Sequence, residues 1–165
     1  MLISRSGLVT VTGGKWTTYR AMAQDVLEKC VAAHLFPRLR PSVTAQLRLV
    51  GAGATGAPQT RISASPGLHG YGSEAPQVQA LPGAQRQLGA GLSEAMVRFA
   101  ARHEYARTVE DLLARRNRVL FLDARQAMQM APPVAEILQQ ETGVDPCLRE
   151  FLELAQHYCL PATAP

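Results

Sequence analysis

The sequence predicts a mainly α protein. A compact domain of about five helices over residues 68–165 follows a strand, a glycine turn and a helix over residues 1–36, with a linker over residues 37–67 between them. Three observations carry this reading. Apolar residues recur at helical spacing through most of the last hundred positions, Pro and Gly concentrate in the middle segment, and one β-branched run stands near the start. With 165 residues and 47% hydrophobic composition, the chain is long and apolar enough to bury a core.

In chain order, Gly7-Leu8-Val9-Thr10-Val11-Thr12 reads as a short strand and Gly13-Gly14 as a turn. Tyr19, Met22, Ala23, Val26, Leu27 and Cys30 then fall on one stripe of an amphipathic helix. Between Pro37 and Gly67 the breakers Pro37, Pro41, Gly51, Gly53, Gly56, Pro58 and Pro66 mark a linker. The alternating stretch Thr44 to Leu49 is its one candidate strand. Further on, Ser93 is a suitable N-cap for a helix presenting Met96, Phe99, Ala100 and His103, and Thr108 to Asp111 resembles a cap leading into Leu112 and Leu113. Asp123 caps a segment reaching Met130. Pro132 or Pro133 suits the first turn of a separate helix carrying Val134, Ile137 and Leu138 and stopped by Gly143. Asp145 and Pro146 open a last helix with Leu148, Phe151, Leu152, Ala155 and Cys159 on one face.

The net charge of +4 divides unevenly, eight Lys or Arg against two acids in residues 1–66 and nine against eleven in residues 67–165. Scattered basic residues with few aromatics beside them argue against nucleic acid as a partner. No window approaches the ~18 apolar residues of a membrane-spanning helix and no signal peptide stands at the start, so a soluble, cytoplasmic chain is expected. Cys147 and Cys159, about 18 Å apart if they share one helix, would not pair, and all three cysteines read as free thiols.

Several motifs look chemical and fail on context. Gly51-Ala52-Gly53-Ala54-Thr55-Gly56 has the spacing of a dinucleotide-binding turn, but no helical period follows it to place amide dipoles on a pyrophosphate. Gly14-Lys15 lacks the earlier glycine and the hydroxyl of a P-loop. His103-Glu104 begins a zinc-binding H-E-x-x-H whose second histidine position is Arg107. No metal site, nucleophile–base pair or other catalytic group is assigned.

Thr12-Gly13-Gly14-Lys15-Trp16-Thr17-Thr18 is different in kind. A glycine pair lets the backbone approach a ligand closely and leads into a helix start, where free amides, the hydroxyls of Thr17 and Thr18 and the charge of Lys15 favour an electron-rich carbonyl, phosphate or carboxylate. A capped surface turn accounts for the same residues.

The stretch from Gly7 to Ala23, with Gly13-Gly14-Lys15-Trp16-Thr17-Thr18-Tyr19-Arg20 at its centre, resembles the segment that ends the flavin domain of FAD-dependent (aerobic) glycerol-3-phosphate dehydrogenases. His103 to Arg116 and Phe121 to Arg125 are similar to the C-terminal domain of the same enzymes, and Leu68 to Ala75 is a weaker match. The resemblance implies an enzyme that oxidises glycerol 3-phosphate to dihydroxyacetone phosphate through FAD and passes electrons to a membrane quinone. In such an enzyme Gly14, Lys15, Trp16, Thr17 and Thr18 would contact the cofactor, and Lys15 would also hold the substrate phosphate. Amide dipoles and the lysine would then stabilise negative charge on the reduced flavin.

The resemblance covers only the C-terminal portion. It implies that residues 1–36 are the end of a flavin-binding α/β domain, that the partner is a missing N-terminal FAD-binding domain, and that this chain alone is inactive and holds no FAD. A homodimer, and a peripheral position of the intact enzyme on the cytoplasmic face of the inner membrane, are further expectations. A stand-alone helical interaction or dimerisation module without redox role is the alternative. Leu8 to Val11, deprived of neighbouring strands, is expected to be mobile or to pair with another copy.

Overall fold

Of the β-branched run near the start, only Val9–Thr10 (β2) becomes strand, and it finds its partner inside the chain. Leu2–Ile3 (β1) folds back antiparallel, Leu2 opposite Thr10 and Ile3 opposite Val9. Ser4 closes the connection, its amide donating to Leu8 O at 3.0 Å and its hydroxyl accepting from the Leu8 amide at 3.0 Å. The expectation of an unpaired strand is thereby corrected: backbone polar groups take the nearest available partners, here the residues just upstream. The hairpin is two residues deep and lies on no larger sheet.

The computed structural model describes residues 1–53 and 66–159 and divides into two compact units, Met1–Leu49 and Val50–Pro165. In the first unit a single 3-10 turn, Trp16–Thr18, runs into α1 (Tyr19–Ala32). The apolar stripe of α1 is in place, yet only Cys30 on it is buried; Tyr19 and Leu27 stay about half exposed. Its polar side is laced by Arg20 to Gln24 (3.0 Å), Gln24 to Glu28 (2.8 Å) and Lys29 to Asp25 (2.6 Å). Such exposed pairs each add only a few tenths of a kcal/mol. The helix ends with His34 in the left-handed region and the Leu35 amide bonded back to Cys30 O at 3.0 Å. Thr44 to Leu49 does not form the expected strand. Val43 O accepts from the Gln46 amide at 3.1 Å in a turn, and Leu47 and Leu49 stay exposed, because among the described residues no neighbouring strand offers a ladder.

The second unit is helical, as expected, with one small exception. A 3-10 segment, Leu68–Glu74, leads into α2 (Ala75–Gln79). A bulged hairpin of β3 (Gln87–Gly89) and β4 (Leu92–Ser93) then precedes α3 (Glu94–His103). That hairpin was not anticipated, since its glycines read only as breaks. Ser93 caps α3 as expected, its hydroxyl accepting from the Met96 amide at 3.4 Å. Thr108 and Asp111 cap each other's amides, at 3.1 and 3.0 Å, at the start of a π-helical turn, Asp111–Arg116. Then follow α4 (Val119–Leu122), α5 (Ala124–Thr142) and α6 (Leu148–Tyr158).

Two expected boundaries move. Asp123 caps α5 through the Gln126 amide at 2.9 Å, but that helix runs for 19 residues through Pro132 and Pro133 to Gly143, where two helices were expected. Met130, Ala131, Val134, Ile137 and Leu138 form one buried face across the junction while Pro132 lies at the surface, so packing on both sides outweighs the backbone bonds that the prolines remove. The last helix begins two residues after Pro146, because the Asp145 carboxylate holds the Cys147 amide at 2.9 Å and turns the chain.

α5 packs against α3, α4 and α6, and the core closes around Phe99, Leu112, Leu113, Leu120, Ile137, Leu138 and Phe151. A buried ionic clamp joins α3 to α5: Arg98 bonds both Glu94 and Glu141, and Arg102 grips Glu141 from outside at 2.6 Å. Arg86 completes it on Glu94 at 2.9 Å. All three cysteines are free, and among the described residues no helix is long and apolar enough to cross a membrane.

Candidate functional site

Lys15 has extended backbone, φ −111° and ψ 147°, and occupies the position before the 3-10 turn without capping it through its side chain. The Lys15 side chain is exposed. Gly13 and Gly14 precede it at φ of +80° and +112°. A Cβ on Gly14 would come within 2.4 Å of the Met22 sulfur and terminal carbon, whereas one on Gly13 would meet nothing within 4 Å. Gly14 therefore packs on its own helix and Gly13 presents bare backbone outward.

The turn and the α1 stripe enclose an open groove of about 610 Å³ in the first unit. Gly13, Gly14, Lys15 and Trp16 form one wall; Tyr19, Met22, Ala23, Val26 and Leu27 form the other. Trp16 is 85% exposed, its ring 5.2 Å from that of Tyr19 and tilted by 31°. Of the five residues expected at a cofactor, Gly14, Lys15 and Trp16 line the groove; Thr17 and Thr18 stand behind them in the turn. The Thr18 hydroxyl donates to Lys15 O at 3.1 Å and its amide to the same oxygen at 3.0 Å, which fixes the Lys15 backbone. The amides of Trp16 and Thr17 precede the first bond of the turn and are the donors a ligand would meet.

This groove suits a flat, largely apolar ring with an electron-rich edge. The floor is aliphatic and sulfur-bearing, the exposed indole offers a stacking face, and Lys15 with the helix dipole favours negative charge at one end. The residues present therefore fit the ring of a flavin. Val11 and the lower stripe of α1 were not singled out as site residues; their signal was the apolar period of α1, which reads equally as core.

The histidine–glutamate pair and the second glycine motif belong to the second unit. His103 packs on the Phe99 ring at 4.7 Å between centroids, and among the described residues no three His, Cys, Asp or Glu gather to hold a metal. Glu104 is half-buried beside Tyr71, and desolvation raises its pKa above the ordinary value, Arg116 opposing and Glu74 adding to the shift. Burial, with the charge of Glu104, pushes the Tyr71 hydroxyl up to about 12. The glycine motif at residues 51–56 is described only to Gly53, and its remainder lies outside the described residues; Gly51 O accepts from the Ser73 amide at 2.9 Å.

Comparison with known proteins bears on both units. The family described as the C-terminal domain of alpha-glycerophosphate oxidase matches residues 42–147. The mitochondrial glycerol-3-phosphate dehydrogenase of Schizosaccharomyces pombe is 32% identical over 182 residues, covering 86% of this chain and 28% of its own length. The mitochondrial enzymes of Bos taurus and Homo sapiens are each 33% identical over 178 residues, covering 94% of this chain and 24% of their own. The chain spans about a quarter of the length of these relatives. No solved structure matches it.

Proposed function

The chain belongs to the family of alpha-glycerophosphate oxidase C-terminal domains, and from that premise we propose that it is the C-terminal portion of an FAD-dependent glycerol-3-phosphate dehydrogenase. The intact enzyme oxidises glycerol 3-phosphate to dihydroxyacetone phosphate and passes the electrons to a quinone, from a peripheral position on the cytoplasmic face of the inner membrane. The groove at the Gly13-Gly14-Lys15 turn is the observation that carries this reading, since it offers a stacking face, bare backbone and a cation together.

When bound, FAD supplies the acceptor for the hydride that leaves the substrate's secondary alcohol carbon. Gly14 and Trp16 shape the wall that would face the ring, and Thr17 and Thr18 build the helix start whose dipole would favour negative charge there. Lys15, an exposed side chain at the start of the turn, acts as a point charge for the substrate phosphate. The hydroxyl proton released with the hydride would pass to a base of the N-terminal part, since none of the residues at this turn is assigned that role. The N-terminal flavin-binding part of the enzyme is the partner that completes the site, and the chain by itself neither holds FAD stably nor turns over.

The test is to follow flavin absorbance and fluorescence of the full chain with FAD, alone and co-expressed with the upstream three quarters of a matching relative. Flavin retention and glycerol 3-phosphate oxidation only in the pair, with oxidation lost in Lys15→Met, is the expected result. Tight FAD binding by the chain alone, or a pair that assembles and retains activity without Lys15, overturns it.

A further inference from the structure

The flavin reading leaves two motifs of the helical unit, Leu68 to Ala75 and His103 to Arg116, without a role. Far apart in sequence, they line one cleft of about 630 Å³ in the second unit. His69, Tyr71 and Glu74 stand on the 3-10 side, and Glu104 with Arg116, Asn117 and Arg118 on the side of the π-helical turn. Its wall is held rigidly. Gly72 sits at φ +55°, where a Cβ would fall 2.0 Å from Gly51 O, so only glycine admits this approach.

Charge is distributed unevenly among the arginines of this turn. Arg115 is spent on Glu110 at 2.6 Å and Asp111 at 2.9 Å. Among the described residues, no carboxylate lies within ion-pair distance of Arg116 or Arg118, and both are exposed at the cleft. The π-helical turn is closed by the Asn117 amide on Leu112 O at 2.7 Å, and Arg116, Asn117 and Arg118, consecutive at its end, all line the cleft. Helical turns of this kind recur at functional positions. Two guanidinium groups and a carboxamide in one cleft provide the forked donors that grip a phosphate, and His69 lines the same cleft.

We propose that this cleft binds a phosphate monoester whose organic part carries free hydroxyls. Arg116 and Arg118 hold the phosphate, and Glu74 and Glu104 accept hydrogen bonds from the hydroxyls. The two carboxylates balance the two guanidinium groups, so a bare polyanion such as nucleic acid is disfavoured while a small ester with its own donors is matched. The same phosphate chemistry comes from a soluble polyol phosphate or from a lipid headgroup. Leu122, 76% exposed at the mouth, would accommodate the latter.

The experiment is titration calorimetry on the full chain with inorganic phosphate and with glycerol 3-phosphate, together with flotation on phosphatidylcholine vesicles with and without phosphatidic acid. Saturable binding is expected, tighter for the ester than for inorganic phosphate. Arg116→Gln and Arg118→Gln should each weaken it about tenfold or more, Arg→Lys at either position should weaken it less, and Arg149→Gln, which removes an exposed charge of α6 outside the cleft, should leave it unchanged. Because both arginines are exposed, an unchanged melting temperature without ligand checks the fold; a shifted one makes the charge-keeping Lys variants decisive. Binding of the soluble ester, or of phosphatidic acid vesicles alone, supports the site and identifies its source. Absence of saturable binding by every probe overturns it, as does binding that survives loss of both arginines. Binding lost in Lys15→Gln and kept in the arginine variants also overturns it, and that pattern would belong to the flavin-facing turn.

Discussion

Gly14 shows how one residue ties sequence to site. Its φ of +112° disfavours any side chain whatever the surrounding space, and its neighbour Met22 fills the space a Cβ would take. Gly14→Ala should therefore distort the turn at a cost of about 1–3 kcal/mol. Because Trp16 is the only tryptophan, the change reads out as altered indole fluorescence with the far-UV helical signal kept. Removing the contact as well, in Gly14→Ala with Met22→Ala, should not restore the emission, since the backbone strain remains; restoration would mean that contact alone matters. Glu141 is the corresponding residue of the helical unit, 9% exposed and held by two arginines. Glu141→Gln removes the negative charge that Arg98 and Arg102 share and should lower stability by about 2–4 kcal/mol in urea unfolding. The Lys15 turn was legible in sequence because its parts are contiguous. The Arg116 cleft was not, because its walls come from segments some forty residues apart and spacing carries no trace of their meeting.

At the scale of elements, α1 and α5 have similar apolar stripes and different fates. α1 buries only Cys30, whereas α5 buries eight residues, among them Met130, Val134, Ile137 and Leu138. An isolated helix of 14 residues is marginal in water, so the amides of α1 should exchange with deuterium orders of magnitude faster than those of α5; equal protection would show that α1 is buried in solution. Ile137→Ala should cost about 2–5 kcal/mol, while Leu27→Ala on the exposed stripe should change the unfolding free energy little. The sequence located α1, and it placed two helices where α5 runs as one. It misjudged Pro132 and Pro133, since the local signal of a proline pair is a helix start, and only the continuous buried face around them keeps one helix running.

For the whole molecule, the carboxylates set opposing trends with pH. Bonds from Arg98 and Arg86 hold Glu94 below its ordinary value of 4.5, and bonds from Arg102 and Arg98 do the same for Glu141. Burial works against ionised Asp111, but the Arg107 and Thr108 amides and the Thr108 hydroxyl outweigh it and lower that group too. These three contribute stability that is present above their unfolded values and lost as pH falls through the folded ones. Glu104 runs the other way: desolvation raises it, so its ionised form weakens the fold, and protonation on acidification recovers that loss. The urea midpoint should accordingly rise slightly from neutral pH towards 4.5 and then fall steeply below it. Glu104→Gln should remove the rise and Glu141→Gln should shrink the fall; a flat profile in the wild-type chain would contradict both assignments.

The sequence by itself determined the elements whose cause is local. The helical periods, the caps at Ser93 and Asp123, the glycine–lysine turn and the family resemblance all follow from residues a few positions apart. Only the tertiary structure decided which stripes are buried, that the prolines lie inside one helix, that Glu94, Arg98 and Glu141 form a clamp, and that the Leu68 and Arg116 segments share a cleft. The physical reason is that burial, ion pairing and cleft formation depend on contacts between residues distant in sequence, whose meeting is set by how the whole core packs.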